Sequence, residues 1–178
     1  MNIIDILLPT IVFTIFSLLT VPLVRLVKRT KKDPQNFMVG WILLSFSMAA
    51  ISVYRIASEY FTQSQPVLQI SSVDTILAPI STTFLVDTVS VYMVSAYIVV
   101  GTITCLYSVL HVNSKESLSE RYYALLLIVT GTVIAATFSG DLLTLFIFWE
   151  STAAGACFIV AYKKTRESLE SALKYLII

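Results

Sequence analysis

Residues 142–162 read LLTLFIFWESTAAGACFIVAY, 21 residues whose only charged group, Glu150, falls near the midpoint. A helix needs ~20 predominantly apolar residues to cross a hydrocarbon core ~30 Å thick, so this stretch reads as a transmembrane helix. The middle of a bilayer is the most costly place for an ionisable group. Acids found there usually face a bundle interior or a water path and mark routes for protons or ions. Glu150 is therefore a candidate proton or ion carrier. The competing reading is a structural carboxylate, protonated or paired, that only ties helices together.

The whole chain agrees with a membrane setting. Of 178 residues, 57% are hydrophobic and 13% charged, and the mean hydropathy is +0.84. Such values belong to an integral membrane protein rather than a soluble domain. Met1–Asp5 lacks a basic leader and no small-residue cleavage site follows the first apolar run, so no signal peptide is expected. Cys105 and Cys157 stand alone in separate apolar segments and read as small packing residues. Zinc spacings, phosphate loops, nucleophile motifs and nucleic-acid patches are all missing, so neither a cofactor nor a metal is expected.

Hydrophobic patterning predicts an all-α polytopic transmembrane bundle with five full spans and a sixth begun. The spans are roughly Ile6–Val27, Phe37–Ala57, Phe84–Val112, Tyr122–Phe138 and Leu142–Tyr162, followed by Leu169 onward. The third is the longest, about 43 Å at 1.5 Å per residue, and must tilt or project beyond the lipid. Ser139-Gly140-Asp141 predicts a tight turn, with Gly140 in a left-handed helix end and Asp141 as the N-cap of the next helix. Residues 62–83 alternate partially and suit a short strand or hairpin at the outer surface, or equally a surface loop packed against neighbouring subunits. The chain divides into a transmembrane hairpin with its outer loop, 1–83, and a second part, 84–178.

Basic residues set the orientation. Arg25, Lys28, Arg29, Lys31 and Lys32 follow the first span, Lys115 and Arg121 lie between the third and fourth, and Lys163, Lys164 and Arg166 follow the fifth. Residues 59–83 and 139–141 hold no Lys or Arg. The basic loops alternate, so they share one side, which the positive-inside rule makes cytoplasmic and which places the N-terminus outside.

Four further residues are candidates for chemistry. Lys174, about two turns into the sixth helix, reads either as a proton relay toward Glu150 or as the local partner of Glu170 at i, i+4. Rise arithmetic separates Lys174 and Glu150 by about 9 Å in depth, so a water link suits them better than contact. Asp87 opens the third helix and suits a favourable interaction with its dipole. Arg55 reads as snorkelling or paired with Glu59. His111 ends the third helix, where an interfacial role suffices. After Glu150, Ser151-Thr152-Ala153-Ala154-Gly155-Ala156 offers hydroxyls to a carboxyl or to backbone carbonyls, and small residues for close helix approach.

These residues give the chain a resemblance to the N-terminal part of the proton-conducting, antiporter-like membrane subunits. That family includes the large subunits of respiratory complex I, their relatives in F420H2 dehydrogenases and membrane-bound hydrogenases, and Mrp-type cation/proton antiporters. Phe84-Leu85-Val86-Asp87-Thr88-Val89-Ser90, continuing to Tyr107-Ser108, resembles the family's third helix. Arg121 to Leu127, then Ser139-Gly140-Asp141 through Trp149-Glu150, resembles the fourth and fifth, with Glu150 at the family's membrane glutamate. Ala172-Leu173-Lys174-Tyr175 resembles the start of the sixth. The small residues after Glu150 depart from the bulky ones usual in the family.

The resemblance implies an ion-translocating membrane subunit, with Glu150 as proton or ion carrier and Lys174 as a candidate relay. It implies partner membrane subunits, one supplying a broken helix with an intramembrane lysine, and peripheral electron-transfer subunits if the complex is redox-driven. Family members have about fourteen helices and carry that lysine on the seventh. This chain is therefore expected to be a fragment, half of a split gene or a reduced subunit, and not a complete pump. A structural or assembly subunit without its own conduction path is the alternative.

Overall fold

The computed structural model describes residues 3–29, 34–63, 67–74, 79–111, 119–163 and 165–177. Helices α1 (Ile3–Arg29) and α2 (Pro34–Gln63) lead into an antiparallel hairpin of β1 (Val67–Asp74) and β2 (Pro79–Val86). The chain continues through α3 (Thr88–His111), α4 (Ser119–Thr137) and α5 (Leu142–Val160). A 3-10 turn at Ala161–Lys163 then leads into α6 (Arg166–Ile177). Four of these, α1, α2, α3 and α5, are long and apolar enough to cross a membrane. The molecule is a multi-pass helix bundle with one small hairpin. Its α4 forms over the fourth expected span but falls outside those four, because Glu120 and Arg121 in its first turn lower its hydropathy.

The third helix begins later than the apolar run suggests. Phe84, Leu85 and Val86 belong to β2, paired in register with Gln69, Leu68 and Val67. A strand and a helix that follow one another as a single apolar run cannot be separated by composition. Asp87 marks the boundary. Its carboxylate accepts the Ser90 backbone N–H at 2.7 Å and the Ser90 hydroxyl, and its own N–H donates to Ser90 Oγ at 2.9 Å. This reciprocal box is an N-cap. At 24 residues α3 is about 36 Å long.

Helix α1 packs on α2 and on α4, while α3 packs on α2 and touches α4, closing a ring of four. Within the ring, Phe13, Ile42, Phe46, Val94, Leu127 and Ile134 are buried. The rings of Phe13 and Phe46 meet edge to face at 4.9 Å, a favoured aromatic geometry. Lipid is as apolar as these side chains, so burial drives association less than close packing and interhelical hydrogen bonds do. Ser17 Oγ donates to the Ala124 carbonyl at 2.7 Å and Thr10 Oγ1 to that of Gly131 at 3.2 Å. Trp41 Nε1 donates to Thr20 Oγ1 at 3.0 Å.

Each end of the bundle has its own fastening. At one end, the hairpin is clipped to the α4–α5 turn, with Gly140 N–H donating to Thr83 O at 2.8 Å and Leu85 N–H to Phe138 O at 2.9 Å. Gly140 is not left-handed, contrary to the expectation from Ser139-Gly140-Asp141. The close approach of the hairpin favours glycine there, since a Cβ would sit 3.0 Å from Thr83 Oγ1 and 3.3 Å from the Leu85 backbone. At the other end, Lys28 and Arg25 of α1 meet Glu120 of α4, and Gln35 of α2 donates to Val109 O of α3. The loops expected to lie on opposite sides of the membrane thus sit at opposite ends. Lys31, Lys32, Lys115 and Lys164 lie outside the described residues.

Candidate functional site on helix five

Asp141 fixes the start of α5. Its carboxylate accepts from Thr144 N at 2.7 Å, Thr144 Oγ1 at 2.7 Å, Thr83 N at 2.6 Å and Thr83 Oγ1 at 2.6 Å. Burial opposes its ionisation, but the hydrogen bonds from Thr83 and Thr144 outweigh that and hold its pKa well below the usual carboxylate range. From this cap the helix runs against α4. Thr152 Oγ1 donates to Thr132 Oγ1 at 2.9 Å, and Gly155 lies so close to α4 that a Cβ would come within 2.4 Å of Val129 Cγ2. Of the small residues after Glu150, Thr152 and Gly155 therefore serve close approach to α4.

Glu150 points the other way. At 100° per residue, Phe148, Thr152, Gly155 and Ile159 lie about 140–200° round the helix from Glu150. The carboxylate is exposed, on a face shared with Leu143, Phe146 and Ile147, which are exposed too among the described residues. The neighbouring hydroxyls do not serve it. Ser151 Oγ donates to Ile147 O and Thr152 Oγ1 to Phe148 O, both on their own helix. Among the described residues Glu150 has no hydrogen-bond or ion-pair partner.

Helix α6 folds back beside that face. Cys157, two turns below Glu150 and almost in line with it, donates from Sγ to Ala172 O at 3.4 Å. Taking Ala172 as level with Cys157, Lys174 comes level with Gly155, about 7–8 Å along the axis from Glu150. Lys174 is exposed. Glu170 pairs not with Lys174 but with Arg166, at 3.0 Å, which corrects the local pairing expected from sequence. Both arrangements are i, i+4, and nothing in the spacing distinguishes them. A groove of about 390 Å³ runs between Tyr97, Thr137, Trp149, Thr152, Ala153 and Tyr175, beside the Glu150 face.

The other candidates have more modest settings. Hydrogen bonds from the Ser90 side chain and backbone lower the pKa of Asp87, in keeping with a capping role. Arg55 forms no ion pair with Glu59 among the described residues, although both line a small crevice with Asp5. The His111 side chain lies outside the described residues. Sequence reading missed Glu120, a buried carboxylate 2.8 Å from Lys28 Nζ and 3.5 Å from Arg25 Nε. Burial alone would raise its pKa, but the bonds and charge of Lys28, with Arg25, bring it below the ordinary value.

No protein-family model matches the chain. It is 28% identical over 88 residues to the A subunit of the Na(+)/H(+) antiporter of Alkalihalophilus pseudofirmus, covering 49% of this chain and 11% of that protein. It is 30% identical over 80 residues to the A1 subunit of the Na(+)/H(+) antiporter of Staphylococcus aureus, covering 44% and 10%. The corresponding A1 subunit from Staphylococcus haemolyticus is 29% identical over 80 residues. Over that stretch the chain is similar to antiporter A subunits. The matched region is about a tenth of each of the first two relatives' length. The likeness supports a cation/proton antiporter-like membrane subunit but does not reach the redox-driven members of the resemblance.

Proposed function

We propose that this chain is a proton-translocating membrane subunit, or the N-terminal part of one, in a multi-subunit cation/proton antiporter, with Glu150 as the ion carrier. The observation that carries this reading is the contrast along one helix. Every other carboxylate of the resemblance blocks 84–90 and 121–150 caps a helix, whereas Glu150 makes no hydrogen bond or ion pair among the described residues. A carboxylate at mid-membrane depth needs either a partner or water. Its open face suits a neighbouring segment or subunit that brings a lysine. A lysine close by favours the charged form of a carboxylate, and withdrawing it favours the neutral form. Alternation between the two loads and releases a proton. Lys174, one to two turns away along the axis, suits a relay between Glu150 and the basic end of the bundle, which is cytoplasmic in this reading.

Residues 84–178 are then the start of the conduction module, and 1–83 its supporting hairpin. A redox-driven complex of the complex I type is the second setting, and a structural subunit without conduction the third. Purifying the native assembly and identifying its companions by mass spectrometry tests the choice. Other antiporter subunits are expected, and electron-transfer subunits would move the chain to the redox-driven class.

A further inference from the structure

We infer that the basic end of the bundle holds an anionic phospholipid, with one acyl chain in a groove between α1, α4, α5 and α6 and its phosphate on Arg121. The groove has a volume of about 510 Å³ and is lined by Val21, Leu125, Phe158 and Leu169, with Arg121 and Tyr162 also on its wall. Its lining is mostly aliphatic and aromatic, on a bundle whose helices are long and apolar enough to cross a membrane, so a lipid chain is the apolar partner at hand.

Charge selects the headgroup. Arg121 is exposed and has no carboxylate partner among the described residues. Its neighbour Glu120 turns inward to Lys28 and Arg25. Glu120 thus meets two cations, and the more distant, Arg25, is 56% exposed at its side chain. On α6, Glu170 is held by Arg166, and Glu167 lies about 200° round the helix from Leu169. Arg121 also sits in the first turn of α4, where the helix dipole disfavours a cation. An anion at the groove mouth relieves that cost. A guanidinium suits a phosphate better than an ammonium does, because it can bind two oxygens at once. Aromatic residues such as Tyr162 commonly sit at headgroup level.

The test is lipid retention by the full chain, purified with whatever subunits accompany it. The protein is placed in nanodiscs of phosphatidylglycerol or phosphatidylcholine, stripped gently with detergent and weighed intact. Wild type is expected to retain phosphatidylglycerol about fivefold better than phosphatidylcholine, the factor one basic side chain near a membrane surface is worth. Arg121→Gln should abolish the preference, and Arg29→Gln, at the same end but outside the groove wall, should keep it. Leu125→Trp fills the groove without touching the charge and should lower retention of both lipids. Inorganic phosphate should not displace the lipid. Equal retention of the two lipids by wild type, an unchanged preference in Arg121→Gln, displacement by phosphate, or full retention in Leu125→Trp would each overturn the inference.

Discussion

Asp141 and Glu150 stand nine positions apart on one chain segment and differ in everything around them. Asp141 accepts hydrogen bonds from four donors on Thr83 and Thr144, which join the cap of α5 to the hairpin. Asp141→Ala removes all of them. The cap alone is worth about 1 kcal/mol and up to about 2 kcal/mol, so the thermal midpoint in detergent should fall, with the hairpin losing protection first in hydrogen exchange. The folded-state pKa values of Asp141 and Glu120 are depressed. Their contribution to stability is therefore complete above the unfolded carboxylate values of about 3.9 and 4.3 and is lost as pH falls below them. A thermal midpoint measured against pH should drop through that window, less steeply in Asp141→Asn. The Asp141 cap was legible because capping is local to Ser139-Gly140-Asp141. The Glu120 cluster was not, because Lys28 lies 92 residues upstream and only the fold brings them together. Glu150 was legible as an anomaly, a charge inside an apolar run, but the direction it faces was not.

At the scale of elements, the α4–α5 contact makes a quantitative claim. A Cβ at Gly155 would lie 2.4 Å from Val129 Cγ2, so Gly155→Ala forces the helices apart or moves Val129. Overpacking of this kind typically costs about 1–3 kcal/mol. Val129→Ala opens the space, so the double variant should recover most of the loss. A double-mutant cycle on the thermal midpoint checks this, and additive losses would mean that Gly155 acts elsewhere. Helices α1, α2 and α5 were plain in the sequence because each is a long apolar run. The start of α3 was not, because apolar residues lie on both sides of Asp87, and only the Asp87–Ser90 box marks where β2 ends and α3 begins. The pairing on α6 was open for a similar reason, since Arg166–Glu170 and Glu170–Lys174 have the same spacing.

For the whole molecule, the cluster of Arg25, Lys28 and Glu120 and the hairpin lie at opposite ends of the bundle among the described residues, as alternation of the loops requires. Which end faces the cytoplasm follows from the positive-inside rule. Membrane-impermeant thiol labelling of Lys31→Cys and Ser72→Cys, each with Cys105 and Cys157 replaced, should modify Ser72→Cys from outside and spare Lys31→Cys. The proposed ion exchange depends on the same frame, because a carrier at mid-depth would have to reach both sides. The most direct measurement compares wild type with Glu150→Gln, in vesicles containing the assembled complex, by imposing a proton gradient and following its collapse on addition of Na+. Glu150→Gln keeps the side-chain volume and removes the titratable proton, so a fully assembled variant is expected to lose the Na+-dependent collapse. Collapse at the wild-type rate in that assembled variant would contradict the carrier role and leave Glu150 a structural residue.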